Sequence, residues 1–298
     1  MSVSLRCYST SLGCPKNRVD TERLLGSLGV ALVPVESPDE AALGFINTCA
    51  FIQPATEESV RTIAQAIADI EELPKRPLLA VAGCLVGRYH AEDLAPELPE
   101  VDLWLDNSDL EAWPAMLARK LGLPEPTVPG RIRSTGPSYA WLKISDGCRH
   151  ARSFCAIPNI RGGHRSHCKE MIVREARALL DQGVKELNLV AQDLTEWGCD
   201  LDGKQDLRTL LDGLLPLPGL ERLRLMYLYP AGMTHEMLKY LREAGKPFVP
   251  YFDVPVQHSH PDVLSRMGRP FARNPREAID RIRNVFPEAA LRTSIMVG

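Results

Sequence analysis

The sequence lacks any stretch in which eighteen apolar residues stand together, the length that a membrane-spanning helix requires. Its first residues, MSVSLRCYSTSLGC, also lack the apolar core of a secretory leader. The sequence also has no excess of positive charge: it contains 35 Lys and Arg and 38 Asp and Glu, which give a formal net charge of -3. This balance argues against a broad nucleic-acid-binding surface. We therefore expect a cytoplasmic protein with no membrane partner and no strong nucleic-acid footprint.

Cysteine, in contrast, is abundant. The chain has eight cysteines, at positions 7, 14, 49, 84, 148, 155, 168 and 199. Disulfides are disfavoured in the cytosol, where clustered cysteines more often bind metals or act in catalysis. Cysteine is also a common small core residue, so composition alone leaves both interpretations open.

Short apolar runs alternate with helical patterns in the first half of the chain. Apolar residues from Val60 to Ile70 recur at helical spacing, which predicts a helix with Thr56 as its N-cap. Strands alternating with helices indicate a doubly wound parallel sheet, in which ligands gather at the carboxyl ends of the strands. The strand-like runs are Ser4 to Tyr8, Val30 to Val35, Leu43 to Asn47, Leu78 to Ala82 and Val101 to Leu105.

Three cysteines follow strands of this predicted sheet. Cys14 lies in SLGCPKN after the first strand, Cys49 in INTCAF after the third and Cys84 in AGCL after the fourth. Loops that leave one edge of a sheet can bring three thiolates around one iron-sulfur cluster. The alternative is three buried or reactive thiols at loop ends. Cys7 alternates inward on the first strand, and we expect it in the core.

The second half begins after a stretch rich in proline and glycine, Gly122 to Pro137, which predicts a linker whose Arg131 and Arg133 are solvated. Helix-like stretches such as Lys169 to Leu180 and His235 to Glu243 then separate five strand-like runs. This alternation predicts a barrel-type parallel α/β domain. The runs are Tyr139 to Ile144, Glu186 to Ala191, Arg222 to Tyr227, Phe248 to Phe252 and Leu291 to Val297.

The motifs SLGCPKNRVDTE, FINTCAF and AGCL resemble the amino-terminal domain of the methylthiotransferases, a family of radical S-adenosylmethionine (SAM) enzymes. The resemblance implies that Cys14, Cys49 and Cys84 bind an auxiliary [4Fe-4S] cluster. It also implies the domain order: residues 1–130 form the methylthiotransferase N-terminal domain, 131–138 the linker and 139–298 part of the radical SAM barrel. The expected fold class is α/β, with a doubly wound parallel sheet domain followed by an incomplete (β/α) barrel.

Family members continue past the fifth barrel strand into a small substrate-binding β-barrel domain. The sequence from Leu291 to Gly298 resembles the middle of a family strand motif. We therefore expect that C-terminal domain to be absent from this chain.

The stretch from Cys148 to Pro158 resembles the family loop CxxxCxxC, in which three thiolates hold a second [4Fe-4S] cluster whose open iron binds SAM. Cys148 and Cys155 stand at the outer ligand positions, but Arg152 occupies the middle one. A guanidinium stays protonated and has no lone pair to offer iron, so this loop offers the second cluster two thiolate ligands rather than three. Cys168 or Cys199 would have to approach in space to replace the missing ligand.

Further motifs point to SAM and to one branch of the family. The resemblance implies that Gln192 and Asp193, in AQD after the second barrel strand, contact the methionyl end of SAM; an ordinary N-cap role is the alternative. CAIPNIRG resembles the form of this motif in the family branch that modifies a ribosomal protein. LRLMYLYP and YFDVPVQHSH also resemble motifs of that branch. The resemblance places Tyr227, Gln257 and His258 at the edge of the site; the alternative is that they are ordinary polar residues at strand ends.

By resemblance, then, the chain is a radical SAM methylthiotransferase that adds a methylthio group to the β-carbon of an aspartate in a small-subunit ribosomal protein, the twelfth. Two [4Fe-4S] clusters and SAM are the implied cofactors, and a flavodoxin or ferredoxin is the implied reductant. No catalytic side chain is identified. Three alternatives stay open: the same chemistry on a transfer-RNA adenosine, a catalytically defective cluster-binding homologue, and a thiol-rich α/β protein without clusters.

Overall fold

Two parallel sheets of five strands each organise the fold. The computed structural model describes residues 4–150, 152–269, 274 and 276–297. The chain forms two compact units. The first runs to Ser134 and also takes in Asn159–Gly162, and the second comprises Thr135–Pro158 and the chain from Gly163 onward. Among the described residues, no helix combines the length and apolarity needed to cross a membrane.

The sheet of the first unit has the order β2-β1-β3-β4-β5, and all neighbouring strands are parallel. Strand order therefore reverses between β1 and β3, which is where doubly wound sheets bind their ligands. The strands are β1 (Ser4–Ser11), β2 (Ala31–Pro34), β3 (Leu43–Thr48), β4 (Leu78–Gly83) and β5 (Leu103–Leu105). The helices are α1 (Pro15–Ser27), α2 (Gln53–Ile70), α3 (Cys84–Tyr89), α4 (Ala91–Leu94) and α5 (Trp113–Leu121).

Apolar burial explains this arrangement. All six residues of β3 are buried, as expected for a central parallel strand that is covered on both faces. Leu24 of α1 and Trp113 of α5 pack into one core with Phe45 of β3. Cys7 is 4% exposed and belongs to the same core, which confirms its predicted place.

Helix α2 confirms the predicted helix but not its predicted start. It begins at Gln53 with Ile52 as N-cap and Pro54 in the first turn, so Thr56 lies inside the helix and the N-cap prediction was wrong. Proline is well placed in a first helical turn because its missing N–H would have no partner there. The Thr56 hydroxyl instead donates to the Ile52 carbonyl at 3.4 Å.

The sheet of the second unit has the order β12-β11-β10-β9-β6, again with parallel neighbours, beside a two-stranded β7-β8 ladder. One face packs on helices, and the other lines a groove with Trp141, Met226 and Tyr251. The strands are β6 (Tyr139–Lys143), β7 (Ser145–Asp146), β8 (Arg165–Ser166), β9 (Glu186–Val190), β10 (Arg222–Leu225), β11 (Phe248–Asp253) and β12 (Ala290–Arg292). The remaining helices are α6 (Ile157–Arg161), α7 (Lys169–Asp181), α8 (Leu207–Leu214), α9 (His235–Ala244), α10 (Pro261–Arg266) and α11 (Glu277–Val285).

The predicted linker contains a buried ion pair. Arg131 donates to Glu22 of α1 through Nε at 2.8 Å and through Nη2 at 2.6 Å, and both side chains are less than a tenth exposed. The other carboxylate oxygen of Glu22 accepts from the Ser134 N–H and hydroxyl. The prediction that Arg131 is solvated was therefore wrong: a buried carboxylate fixes this part of the linker on the first unit.

Replacing Glu22 with Gln is expected to lower the free energy of unfolding by about 3 kcal/mol, because it leaves the Arg131 charge buried without its counter-charge. Denaturant unfolding measures the loss. The matched control is Glu40→Gln, which removes the exposed pair between Glu40 and Arg6 and is expected to cost less than about 1 kcal/mol. Equal losses in the two variants would contradict the structural role given to the buried pair.

Candidate functional site

Three thiols gather at the carboxyl edge of the first sheet. Cys14 follows β1 and is the N-cap of α1, Cys49 follows β3, and Cys84 is the first residue of α3, directly after β4. Cys49 and Cys84 are buried, and Cys14 is partly exposed. Burial raises the pKa of Cys49 most, and the nearby thiols of Cys84 and Cys14 raise it further. The structure therefore brings together the three cysteines that the sequence singled out.

Two glycines leave the space around these thiols. Gly13 has φ +81°, and a Cβ added there would lie 2.6 Å from both Cβ and Sγ of Cys49. Gly83 has φ +98°, and a Cβ there would lie 2.2 Å from the side-chain oxygen of Asn47. Both positions thus require glycine for backbone conformation and for space. Any larger residue at position 13 would push Cys49 out of place.

Positive charge accompanies the thiols. Burial raises the pKa of Cys14, but the Lys16 ammonium, the Arg161 guanidinium and nearby backbone N–H groups outweigh burial and hold that pKa below its ordinary value. Burial raises the pKa of Cys49, and the backbone N–H of Phe51 and the Arg161 charge only partly oppose it. Lys16 is itself buried, and burial lowers its pKa. Two cations therefore favour the thiolate form that binds metal.

Sequence reasoning missed Arg161 as part of this site. Its side chain is 2% exposed and lies 3.2 Å from the Asp20 carboxylate, and it donates to the Asn17 side-chain oxygen at 2.5 Å. The Asn17 amide in turn donates to the carbonyls of Leu12 and Thr48, which fixes the two loops that carry Cys14 and Cys49. A separation of 141 residues between Asp20 and Arg161 leaves no local pattern that could have revealed the contact.

The second candidate site is the loop after β6 in the second unit, in which Ala151 lies outside the described residues. Cys148 is buried and Cys155 is partly exposed. A turn joins them, because the Arg152 N–H donates to the His150 carbonyl and the Cys155 N–H donates to the Arg152 carbonyl, both at 3.1 Å. Burial raises the pKa of Cys148, and the His150 backbone N–H and the Arg152 charge partly oppose this.

The Arg152 guanidinium lies over the ring of Tyr229, 4.7 Å from its centroid, and its Nε is buried without an acceptor among the described residues. A second guanidinium, that of Arg269, lies 5.3 Å from the same ring. Burial, followed by repulsion from Arg152, lowers the pKa of Arg269. The His150 ring stacks on Tyr229 at 4.3 Å. Aromatic and cationic side chains therefore surround the middle position of the loop.

This donor set does not fit a cubane held by three thiolates. Cys148 and Cys155 supply two sulfurs, while the residue between them supplies a permanently protonated group. Of the two other cysteines considered as replacements, Cys199 lies close enough to Arg149 and Glu196 for their charges to act on its thiol. Cys168 is exposed at the N-cap of α7, and Cys199 lies beside His164 and Asp200.

The two residues predicted to contact SAM follow β9 and differ in their surroundings. The Gln192 amide is buried, and neither its nitrogen nor its oxygen has a hydrogen-bond partner among the described residues. Asp193 is 2% exposed and fully engaged: one oxygen caps the following turn through Thr195, and the other lies 2.7 Å from the His150 Nε2. Gln192 therefore has free hydrogen-bonding capacity for a ligand, whereas Asp193 fastens the loop after β6 to the segment after β9.

The three residues suggested for the site's edge lie where strands end. Tyr227 follows β10 with φ +64°, and Gln257 lies beyond β11 with φ +74°. Backbone strain of this kind in residues other than glycine concentrates at functional sites. The imidazole of His258 accepts from the His260 N–H at 2.9 Å, a local turn contact.

Comparison with known families finds two matches along the chain. A model described as an uncharacterized protein family, UPF0004, matches residues 6–106, and the model of the radical SAM superfamily matches residues 142–298.

Several relatives carry the name ribosomal protein uS12 methylthiotransferase RimO. The protein of Nitratidesulfovibrio vulgaris (strain DP4) is 67% identical over 291 residues, which are 98% of this chain and 68% of the relative. The relative from Lawsonia intracellularis is 60% identical over 298 residues, or 100% of this chain and 68% of the relative. That of Aquifex aeolicus is 44% identical, with 97% of this chain and 64% of the relative covered.

Solved structures share the fold at much lower identity. The radical SAM methyltransferase TsrM from Kitasatospora setae, solved with cobalamin and a [4Fe-4S] cluster, matches with a TM-score of 0.67 at 14% identity over 99% of this chain and 66% of that one. The cobalamin-dependent radical SAM enzyme OxsB matches with a TM-score of 0.62 at 15% identity, over 99% of this chain and 50% of that one. These matches support an α/β fold of two parallel sheets.

Proposed function

Because the chain belongs to the methylthiotransferase family of radical SAM enzymes, we propose that it acts on ribosomal protein uS12 and adds a methylthio group to the β-carbon of an aspartate. The observation that carries the proposal is the set of three thiols at the switch point of the first sheet, in a chain up to 67% identical to relatives of that name. The transfer-RNA and cluster-free alternatives have no support from these relatives.

Cys14, Cys49 and Cys84 fit an auxiliary [4Fe-4S] cluster. Three thiolates from three loops suit such a cluster, and the glycines at positions 13 and 83 allow the backbone to come close. Lys16 and Arg161 offset the negative charge that the thiolates bring into a buried place. Held by these three thiolates, such a cluster would supply sulfur for methylthio transfer.

Cys148 and Cys155 are the two thiols available to a second cluster, and with Arg152 between them they do not complete its ligand set. We therefore assign to this loop only what its own residues do. Asp193 holds the loop through His150, and Tyr229 packs on its side chains. The Gln192 amide offers its NH2 group as a donor and its oxygen as an acceptor, which suit the carboxylate and ammonium at the methionyl end of SAM.

The proposed function also implies a cellular location and a reductant. A uS12 substrate implies a cytoplasmic enzyme, and radical SAM chemistry implies a reductant such as a flavodoxin or ferredoxin. We also propose the domain assignment made from the sequence, in which a further domain of the relatives binds the substrate. The relatives extend well beyond the part that this chain matches.

The experiment compares uS12 and transfer RNA as substrates under anaerobic conditions with SAM and a chemical reductant. The experiment uses the Arg152→Cys variant, in which the loop after β6 has three thiols. Substrate choice is then measured in a chain that does not lack the third cluster ligand. A parallel arm extends the chain with the remaining third of the Nitratidesulfovibrio vulgaris relative. We expect mass spectrometry to find one methylthio group on a uS12 aspartate and none on transfer-RNA adenosine.

A uS12 variant with Asn at the modified aspartate is the control and should stay unmodified. Modification of transfer RNA, or formation of 5'-deoxyadenosine without any change in uS12 in both arms, would overturn the proposed substrate.

A further inference from the structure

A second group of metal-binding side chains lies in the second unit and plays no part in the proposed function. His164, Cys199 and Asp200 each offer one donor atom, and all three atoms lie within 4.8 Å of one another. They come from two segments, one just before β8 and one after β9. We propose that these three residues bind a single thiophilic divalent cation of the zinc type.

The donor chemistry selects the ion. Imidazole nitrogen, thiolate sulfur and carboxylate oxygen are the three ligand types that Zn²⁺ takes in proteins, whereas Mg²⁺ and Ca²⁺ prefer oxygen alone. Three protein ligands would leave a fourth, tetrahedral position for water. Cys199 and Asp200 are exposed at the surface, so that water has access to this position.

Hydrogen bonds hold the carboxylate in a ligating orientation. Oδ2 of Asp200 accepts from the Ser166 N–H at 2.8 Å, and Oδ1 lies 3.5 Å from Nε2 of His164. The Ser166 hydroxyl accepts from the Gly198 N–H at 2.9 Å, which ties the two segments together. Contacts of this kind around metal ligands orient them and raise affinity.

The histidine is equally well placed. Its side chain is only 3% exposed, and Nε2 lies 3.0 Å from the Ser166 hydroxyl. Binding would replace that hydrogen bond at Nε2 by a metal–nitrogen bond. The thiol proton of Cys199 would pass to solvent, as it does whenever a thiol becomes a metal ligand.

The neighbouring group of His150, Asp193 and Glu196 has similar spacing but a different environment. His150 and Asp193 already bond to each other at 2.7 Å, and Glu196 pairs with Arg149. The Arg152 guanidinium lies over the aromatic ring on which His150 stacks. Existing pairing and the Arg152 charge disfavour a cation there. The charge that reaches Cys199 is that of Arg149, which Glu196 already pairs, so the proposed site is the His164 group alone.

The test adds zinc chloride to the anaerobically reconstituted chain, in which iron and sulfide have been supplied first, and removes weakly held metal by desalting. We expect about one zinc per chain, with a single sulfur at about 2.3 Å in the zinc X-ray absorption spectrum. Cys199→Ser and Asp200→Asn should lose this zinc. Cys168→Ser, which removes another exposed cysteine, should retain it.

Ser166→Ala keeps all three ligands and is expected to weaken zinc binding about tenfold, because it removes the hydroxyl that accepts from the Gly198 N–H and ties the two ligand segments together. Zinc should also raise the melting temperature of the unaltered chain but not that of Asp200→Asn. The proposal is overturned if the unaltered chain retains no zinc or if Cys199→Ser retains as much. Two or more sulfurs around the zinc would overturn it too, since they would place the ion at the other cysteines.

Discussion

Replacing Arg152 with Cys is expected to add about four iron atoms per chain after anaerobic reconstitution, the content of one [4Fe-4S] cluster. The same change is expected to raise the formation of 5'-deoxyadenosine from SAM on the order of a hundredfold, because the cluster supplies the electron for that cleavage. Iron counting, electron paramagnetic resonance of the reduced protein and chromatography of the nucleoside measure the two effects.

The physical reason is the ligand set of the loop after β6. A thiol at position 152 would stand in the turn between Cys148 and Cys155, where two hydrogen bonds already shape the backbone. It would also remove one of the two guanidiniums that lie over Tyr229 and so relieve the repulsion on Arg269. A third sulfur and a lower positive charge are introduced by one substitution.

Arg152→Ser separates these two contributions. Serine removes the guanidinium and is close to cysteine in size, but it offers no thiolate. We expect this variant to keep the iron content and the low nucleoside formation of the unaltered chain. If the unaltered chain and Arg152→Cys bind equal iron and cleave SAM equally fast, the loop does not depend on a third thiolate and our interpretation of Arg152 is wrong.

Cys49→Ser is expected to remove the auxiliary cluster, with a loss of about four iron atoms per chain, and to abolish methylthio transfer. Cys49 is buried beneath Gly13 and close to the other two thiols, so no solvent ligand can easily take its place. The measurement uses the Arg152→Cys background, where both clusters are expected. There, formation of 5'-deoxyadenosine should persist while methylthiolation of uS12 stops.

Cys168→Ser is the matched control for this experiment, because it removes an exposed thiol at the N-cap of a helix. It should keep the iron, the nucleoside formation and the methylthio transfer of its parent. A Cys49→Ser chain that keeps its full iron content would show that the three thiols of the first sheet do not hold a cluster together.

Much of the fold could be predicted because the strands of buried parallel sheets are continuous apolar runs. The runs from Leu43 and from Leu78 became β3 and β4 within a residue of the predicted ends. The last strand did not follow its apolar pattern. β12 ends at Arg292, after which the described chain, up to Val297, pairs with Gln257 through an isolated bridge at Ile295. Hydropathy identifies burial but not the residue at which a strand leaves its neighbour.

The three thiols of the first sheet were predictable for a related reason. Cys14, Cys49 and Cys84 follow strands, and parallel strands end on one edge. The partners of charged residues were not predictable from any local pattern. Three such contacts depend on the completed tertiary structure: those of Arg161 with Asp20, of Arg131 with Glu22 and of Arg152 with the Tyr229 ring.

The first unit is discontinuous in sequence, and this restricts how the protein can be dissected. A fragment ending at Ser134 would retain the three thiols and the Glu22 and Arg131 pair, but it would lack Arg161, which comes from the returning segment Asn159–Gly162. Asp20, 5% exposed, would lose that counter-charge. Expression of the N-terminal half alone is therefore a poor route to its cluster chemistry. If the chain is cut between Ser134 and Asn159, the two fragments should be recombined before iron binding is measured, because only the second fragment carries Arg161.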